Sequence, residues 1–248
     1  MSGHSKWHNI RLRKGKQDAV RSNLFTKLAK EIIVAAKAGG GNPDANLRLK
    51  MSIDKARAQS MPADNIKRAV QRGTGEIAGV SYDEITYEGY GPGGAAIMVE
   101  CLTDNKQRTV ADVRSIFTKT GGRLAESGSV GYLFTPKGII ITPPGATTED
   151  QLMEIALEAG AEDVQPSEDG GFEITTAFED FGIVRDALEK AKVAMSSADT
   201  TMIPSTTVEL DGRDATQVLR LVDMLEDNDD VRNVYGNFDV SEEALEAA

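Results

Sequence analysis

Two stretches of this chain each carry only half of a sheet. Before residue 136 the pattern reads strand (Ile85 to Tyr87), strand (Ala96 to Val99), helix (Val110, Val113, Phe117) and a strand over Val130 to Phe134. After residue 204 it reads strand (Thr207 to Leu210), helix (Val218, Leu221, Val222, Leu225) and strand (Val231 to Phe238). Neither half has enough strands to bury a face by itself. Between them lies a complete strand-helix-strand-strand-helix-strand run: Gly138 to Thr142, a helix on Leu152, Ile155, Ala156 and Ala159, then Asp163 to Gln165, Phe172 to Thr176, Ile183 to Ala191 and Val193 to Ile203. That is the ferredoxin-like order. The halves complete each other only if the middle run is an insertion. The reading is therefore an α+β multidomain protein in which a discontinuous domain, 76–136 and 204–248, carries an inserted ferredoxin-like domain, 137–203.

The first 75 residues are helical. Val20, Leu24, Leu28 and Ile32 recur every four residues with Phe25 and Ala36 beside them, one face of a helix that stops at Gly39-Gly40-Gly41. A second helix after Asn42-Pro43 turns Leu49, Ile53 and Ala56 inward. A third starts near Pro62, suited to a first helical turn, packs through Ile66, Ala69 and Val70, and ends at Gly73.

Charge divides along the same boundary. Residues 1–75 hold 16 Lys+Arg against 5 Asp+Glu, a net of +11, and the remainder hold 12 against 34, a net of −22, summing to −11. A basic head of this density is the electrostatic footprint of nucleic-acid binding, since each cation placed on a phosphate releases a counterion. Only Asp18 and Glu31 interrupt the basic series up to Gly41. Lys6, Arg11, Arg13, Lys14, Lys16, Arg21, Lys27 and Lys30 are the candidates for backbone phosphates, and Trp7 for stacking or for anchoring the arm. A helix-turn-helix reading of the second and third helices would put Asn65, Lys67, Arg68, Gln71 and Arg72 on a base-reading helix, although any helical hairpin has this look. The opposite charges also allow the head to dock on the acidic body.

Enzyme chemistry finds little to work with. Histidine occurs only at His4 and His8, and Cys101 sits inside an apolar strand, so neither a Ser/His/Asp nor a Cys/His constellation can form in the body. Two histidines without a nearby carboxylate or cysteine make a poor metal site. Gly89-Tyr90-Gly91-Pro92-Gly93-Gly94 matches GxGxxG, yet a strand rather than a helix follows, which makes it a hairpin turn and not a dinucleotide site. Glu226-Asp227-Asn228-Asp229-Asp230 lacks the glycine and glutamate of a calcium loop and reads as the solvated end of the last helix. The expectation is a non-enzyme without metal or cofactor. One cysteine suits a reducing cytoplasm, and no apolar run is long enough to cross a membrane.

Several segments carry a resemblance: GHSKWHNI (3–10), AAKAGGGNPDANLRL (35–49), YEGYGPGG (87–94), ECLTDNKQRT (100–109), GSVGYLF (128–134), LEAGAEDV (157–164), MIPST (202–206) and MLEDNDDVRNVY (224–235). Together they span nearly the whole chain, in order, and it resembles the YebC/PmpR family, which includes the mitochondrial translational activator of cytochrome oxidase subunit I. The resemblance implies a helical domain followed by two α+β domains, one inserted in the other, with no enzyme activity and no cofactor. It implies a DNA-binding transcriptional regulator or, alternatively, a ribosome-associated factor that binds ribosomal RNA and relieves stalling at stretches such as consecutive prolines. Neither the residues nor the resemblance decides between DNA and ribosome, or fixes the oligomeric state.

Overall fold

A computed structural model describes residues 21–167 and 169–240, with only the helical backbone of residues 21–23. It forms two compact units: one runs to Leu133 and resumes at Thr206, and the other is Phe134–Ser205.

The first unit opens with three helices, α1 (Arg21–Gly39), α2 (Leu47–Ala58) and α3 (Ala63–Thr74). Leu28, Ile32, Ala36, Leu49, Ile53, Ala56, Ile66 and Ala69 form their common core, the apolar positions that the four-residue spacing selects. Gly40, at φ +85°, takes the left-handed conformation that ends α1, and its N–H returns to the Ala36 carbonyl at 2.9 Å. Asn46 welds the next joint. Its Oδ1 accepts from Leu49 N at the start of α2, while its Nδ2 donates to the Ala35 and Gly40 carbonyls at 2.8 and 2.9 Å. Helix α3 runs through Gly73 to Thr74 and is capped by left-handed Gly75, one turn position beyond the expected stop.

The sheet of this unit has the order β3-β1-β2-β9, from β1 (Asp83–Tyr90), β2 (Ala96–Thr103), β3 (Arg123–Leu124) and β9 (Val231–Gly236). β1 and β2 form an antiparallel hairpin around the 3-10 turn Pro92–Gly94. β2 then pairs with β9 across the inserted stretch, Val99 opposite Val234. Two helices, α4 (Lys106–Lys119) and α7 (Gly212–Glu226), share a core with the strands made of Ile97, Val99, Cys101, Phe117, Val218, Leu221, Leu225 and Val234. A small parallel pair, β8 (Val208–Leu210) with β10 (Phe238–Val240), completes it.

The second unit is β4 (Phe134–Thr142), α5 (Glu149–Glu158), β5 (Ala161–Pro166), β6 (Phe172–Ala177), α6 (Phe181–Lys190) and β7 (Ser197–Pro204). Its sheet order β5-β6-β4-β7, antiparallel throughout, is the ferredoxin-like arrangement. Ile140, Leu152, Ile174, Phe181, Val184 and Leu188 are among its buried side chains.

Three element assignments need correction. Val130 to Leu133 is not strand: Gly131–Leu133 is a 3-10 turn, and the strand begins at Phe134 and continues unbroken to Thr142. The N–H groups of Val130 and Gly131 that a strand would use are bound by the Glu88 carboxylate. β7 starts at Ser197 rather than Val193, which is left buried after the end of α6. The run to Phe238 breaks at Asn237, whose N–H bonds Ala96 O and whose carbonyl accepts from Val208, separating β9 from β10.

Gly73 shows how tightly the head is packed. A Cβ there would lie 2.5 Å from the Ile33 carbonyl and 2.6 Å from Ala36 Cβ. In an open helix Gly→Ala stabilises by about 1 kcal/mol; here the neighbour is backbone and cannot yield. Gly73→Ala is expected to destabilise the protein by about 1–3 kcal/mol, read as a lower urea midpoint.

Candidate nucleic-acid interface

The head presents two kinds of polar surface, and α1 separates them. Its apolar stripe faces α2 and α3. A second stripe, Lys27, Lys30 and Glu31 at i, i+3 and i+4, meets the body.

Lys30 is 7 % exposed. Its Nζ donates to Asp230 Oδ1 at 2.8 Å, to Asp229 O at 2.9 Å and to Leu102 O at 3.4 Å, and lies 5.4 Å from the centre of the Tyr82 ring. Lys27 Nζ donates to the Glu226 carbonyl. Both lysines therefore sit on the C-terminal carbonyls of α7 and the turn after it, the negative end of that helix. Asp230 is the hub. Besides Lys30 it accepts from Arg108 Nη2 at 2.7 Å, Arg108 Nε at 3.2 Å, Thr109 Oγ1 at 2.8 Å and Thr103 Oγ1 at 3.3 Å. Burial works against its charge, but the hydrogen bonds from Lys30, Arg108 and Thr109 outweigh it and hold the carboxyl down at about 2. Hydrogen bonds to Asp230 and Asp104 push the Arg108 guanidinium up. For Lys27 burial dominates and lowers the ammonium, with Glu226 opposing.

Two further contacts tie head to body. Arg48 makes a bidentate pair with Glu84, 2.9 and 2.7 Å, whose carboxyl is lowered first by that hydrogen bond. Glu31, 6 % exposed, lies 3.7 Å from Arg232 Nε and 3.8 Å from Lys55 Nζ.

These placements remove Lys27 and Lys30 from the phosphate-binding candidates: they are spent on carbonyls and a carboxylate of the same chain. They also correct the reading of 226–230 as a solvated helix end at its last residue: Asp227 and Asp229 are exposed, but Asp230 is 4 % exposed. A signal for this was present in Ile32-Ile33-Val34-Ala35-Ala36. A helix with five consecutive apolar residues is covered on more than one side.

The other candidates divide cleanly. Lys6, Trp7, Arg11, Arg13, Lys14 and Lys16 lie outside the described residues, as does the side chain of Arg21. Helix α3 is described in full. Ile66, Ala69 and Val70 turn inward, whereas Asn65, Lys67, Arg68 and Arg72 are exposed and Gln71 is half-buried, its amide 3.4 Å from Glu76. Among the described residues Lys67, Arg68 and Arg72 make no ion pair or side-chain hydrogen bond. The face proposed for base reading is an open cationic strip.

The features considered for enzyme chemistry are built into the scaffold. Cys101 is buried in β2, and burial pushes its thiol up to about 12, so it stays protonated and is no nucleophile. The glycine turn at 91–94 connects strand to strand, with Gly91 N bonded to Ala95 O at 2.7 Å. Among the described residues no three His, Cys, Asp or Glu side chains gather to hold a metal ion, and no helix is long and apolar enough to cross a membrane.

Asp230→Asn leaves Lys30 buried without its counter-charge and is expected to cost about 3–5 kcal/mol at pH 7. A carboxyl depressed in the folded state contributes fully above its unfolded value of about 3.9 and loses that contribution as pH falls through about 2. Urea titrations between pH 5 and 2.5 should show wild type and Asp230→Asn converging as the acid limit is approached.

Two family models match most of the chain in order, the TACO1/YebC protein N-terminal domain over residues 5–76 and the TACO1/YebC second and third domain over 82–238. A "probable transcriptional regulatory protein" of Geobacter sulfurreducens is 56% identical over 246 residues, covering 99% of both chains, and one of Pasteurella multocida is 54% identical over 243 residues, covering 98% of both. The crystal structure of a conserved hypothetical protein of Aquifex aeolicus superimposes with a TM-score of 0.81 at 46% identity, over 92% of this chain and 94% of that one. With both domain models satisfied in order and relatives above half identity along the full length, this chain belongs to the TACO1/YebC family.

Proposed function

We propose that this protein is a non-enzymatic regulator of gene expression that binds nucleic acid through its basic head, in the manner of a DNA-binding transcriptional regulator. The observation that carries the reading is the open strip on α3: Lys67, Arg68 and Arg72 exposed and, among the described residues, unpaired, beside exposed Asn65. Other cations of the same head are engaged within the chain, Lys30 in a buried site and Arg48 in a surface pair with Glu84. Cations left unneutralised in a chain of net charge −11 suit a polyanionic ligand, because each phosphate engaged releases a counterion. Asn and Arg are also the side chains that read adenine and guanine edges in a major groove. The names of the relatives, probable transcriptional regulatory proteins, point the same way.

The acidic remainder of the chain gives this binding a direction, since a phosphate backbone is attracted to the head and repelled elsewhere. The protein would work in the cytoplasm without cofactor or metal. The alternative is a ribosome-associated activator of translation in which the same strip and the basic arm grip ribosomal RNA.

The experiment is a salt series on duplex DNA with the full-length protein. With about five phosphates engaged, log K should fall with a slope of roughly −4.5 against log[salt], about 500-fold between 50 and 200 mM. Reversing Lys67, Arg68 and Arg72 together should flatten the slope by about 3 while leaving the thermal midpoint near that of wild type, because all three are exposed. An unchanged slope removes α3 from the interface, and a salt-insensitive complex overturns the reading. Co-sedimentation of wild type with ribosomes, lost in the same variant, would select the translational alternative.

A further inference from the structure

Tyr132 is the most exposed of the large apolar and aromatic side chains described, at 76 %. It stands on a loop that has almost no freedom. The buried carboxylate of Glu88 accepts three backbone N–H groups, from Gly128 at 2.8 Å, Val130 at 2.6 Å and Gly131 at 2.7 Å. Burial opposes the charge of Glu88, but these three bonds prevail and hold its carboxyl below the usual range. Tyr90 Oη donates to Ser129 O at 3.0 Å, Ala125 N to Glu88 O at 2.8 Å and Leu133 N to Val130 O at 2.9 Å. A solvent-facing ring needs no such support to satisfy the fold. A ring whose backbone is already fixed loses little entropy on contact, which is what a recognition aromatic requires.

The surroundings narrow the ligand. Along the loop Ser127, Gly128, Ser129 and Gly131 are small or polar and Glu126 is charged; Tyr90, which bonds the loop at Ser129, has the Arg123 guanidinium 5.2 Å from its ring centre. A protein interface would surround its anchor with apolar area. A nucleobase needs only a π face and tolerates polar edges.

Placement agrees. In β1, Tyr87 packs into the core and a Cβ on Gly89 would meet Phe117, so these residues face α4 and α7. Glu84 and Glu88, by alternation, face the other side of the sheet. The head reaches that side through Arg48 on Glu84, and Glu88 holds the Tyr132 loop four residues along the same strand, about 13 Å away at about 3.3 Å per residue.

We propose that Tyr132 stacks on an unpaired base of the nucleic acid that the head holds by its phosphates. The inference rests on the nucleic-acid reading above and adds a second contact of different physical character. Stacking is not a charge interaction, so its contribution is independent of salt, whereas that of the head is not.

The test compares a blunt DNA duplex with the same duplex carrying a single-stranded tail, one version with a DNA tail and one with an RNA tail. Full-length wild type, Tyr132→Ala and Tyr132→Phe are titrated at 50 and 200 mM salt. Wild type should bind at least one tailed duplex about 5- to 100-fold tighter than the blunt one. Tyr132→Ala should lose that gain by the same factor at both salt concentrations, and Tyr132→Phe should keep it, since the ring suffices. The tail that gives the gain identifies the source of the base. If Tyr132→Ala retains the wild-type ratio of tailed to blunt, or wild type shows no gain from either tail, the stacking role is overturned. Wild-type binding to the blunt duplex stands or falls separately and reports on the head alone.

Discussion

A buried carboxylate, Asp230, decides how the basic head is held. It gathers Lys30 from α1, Arg108 and Thr109 from α4 and Thr103 from the end of β2, so one side chain joins the three-helix head to a helix and a central strand of the α+β body. Charges taken out of water are costly unless every partner is in place. Here both carboxylate oxygens are engaged, and Lys30 has two carbonyls besides. Such an arrangement has few neighbouring alternatives of similar energy, because sliding α1 by a turn would strand a buried ammonium. The clamp therefore fixes which stripe of α1 is covered, and with it which part of the head is left open.

The charge asymmetry acquires a structural meaning from this. The +11 of the first 75 residues is not a uniform cloud. Part of it is consumed in holding the head in place, on carbonyls at the negative end of α7 and on Asp230, Glu84 and Glu31. Another part, on α3, is left facing water. The same residue type does two jobs, and burial separates them: a lysine at 7 % exposure is an internal strut, and one on an exposed face is available to a ligand.

Much of the architecture was legible. The interrupted sheet could be inferred because half-sheets cannot bury a face, and the pairing of β2 with β9 is that inference in hydrogen bonds. The ferredoxin-like order and the inward positions of the three head helices follow from periodicities that side-chain geometry enforces. What was illegible depends on contacts between residues far apart in sequence. The apolar run beside Lys30 signals that α1 is covered on a second side, but nothing within ten residues of Lys30 or Asp230 names a partner 200 positions away. The Val130 to Leu133 segment has strand-like composition, and only the carboxylate of Glu88, some forty residues earlier, draws its N–H groups out of a ladder. Tyr132 was hidden by the same error, since a strand would have placed it in a sheet. Short elements such as β3 and β10 carry too few residues to leave a periodic trace.

The inserted unit also imposes an order of events during synthesis. β2 and its partner β9 are separated by more than 120 residues, so at about 5–20 residues per second roughly ten seconds pass between their emergence from the ribosome. Through that interval β2, with Ile97, Val99 and Cys101 destined for the core, has an unpaired edge, a template for wrong partners. The stretch from Phe134 to Ser205 emerges complete in the meantime, its strands pairing only with one another, and its first and last strands lie side by side, Phe134 opposite Pro204. Once closed, it returns the chain to within a strand's width of where it left. The long excursion then shrinks to a short connection, and the late segment bearing β9 and Asp230 is delivered beside the half-built sheet and waiting head that it completes.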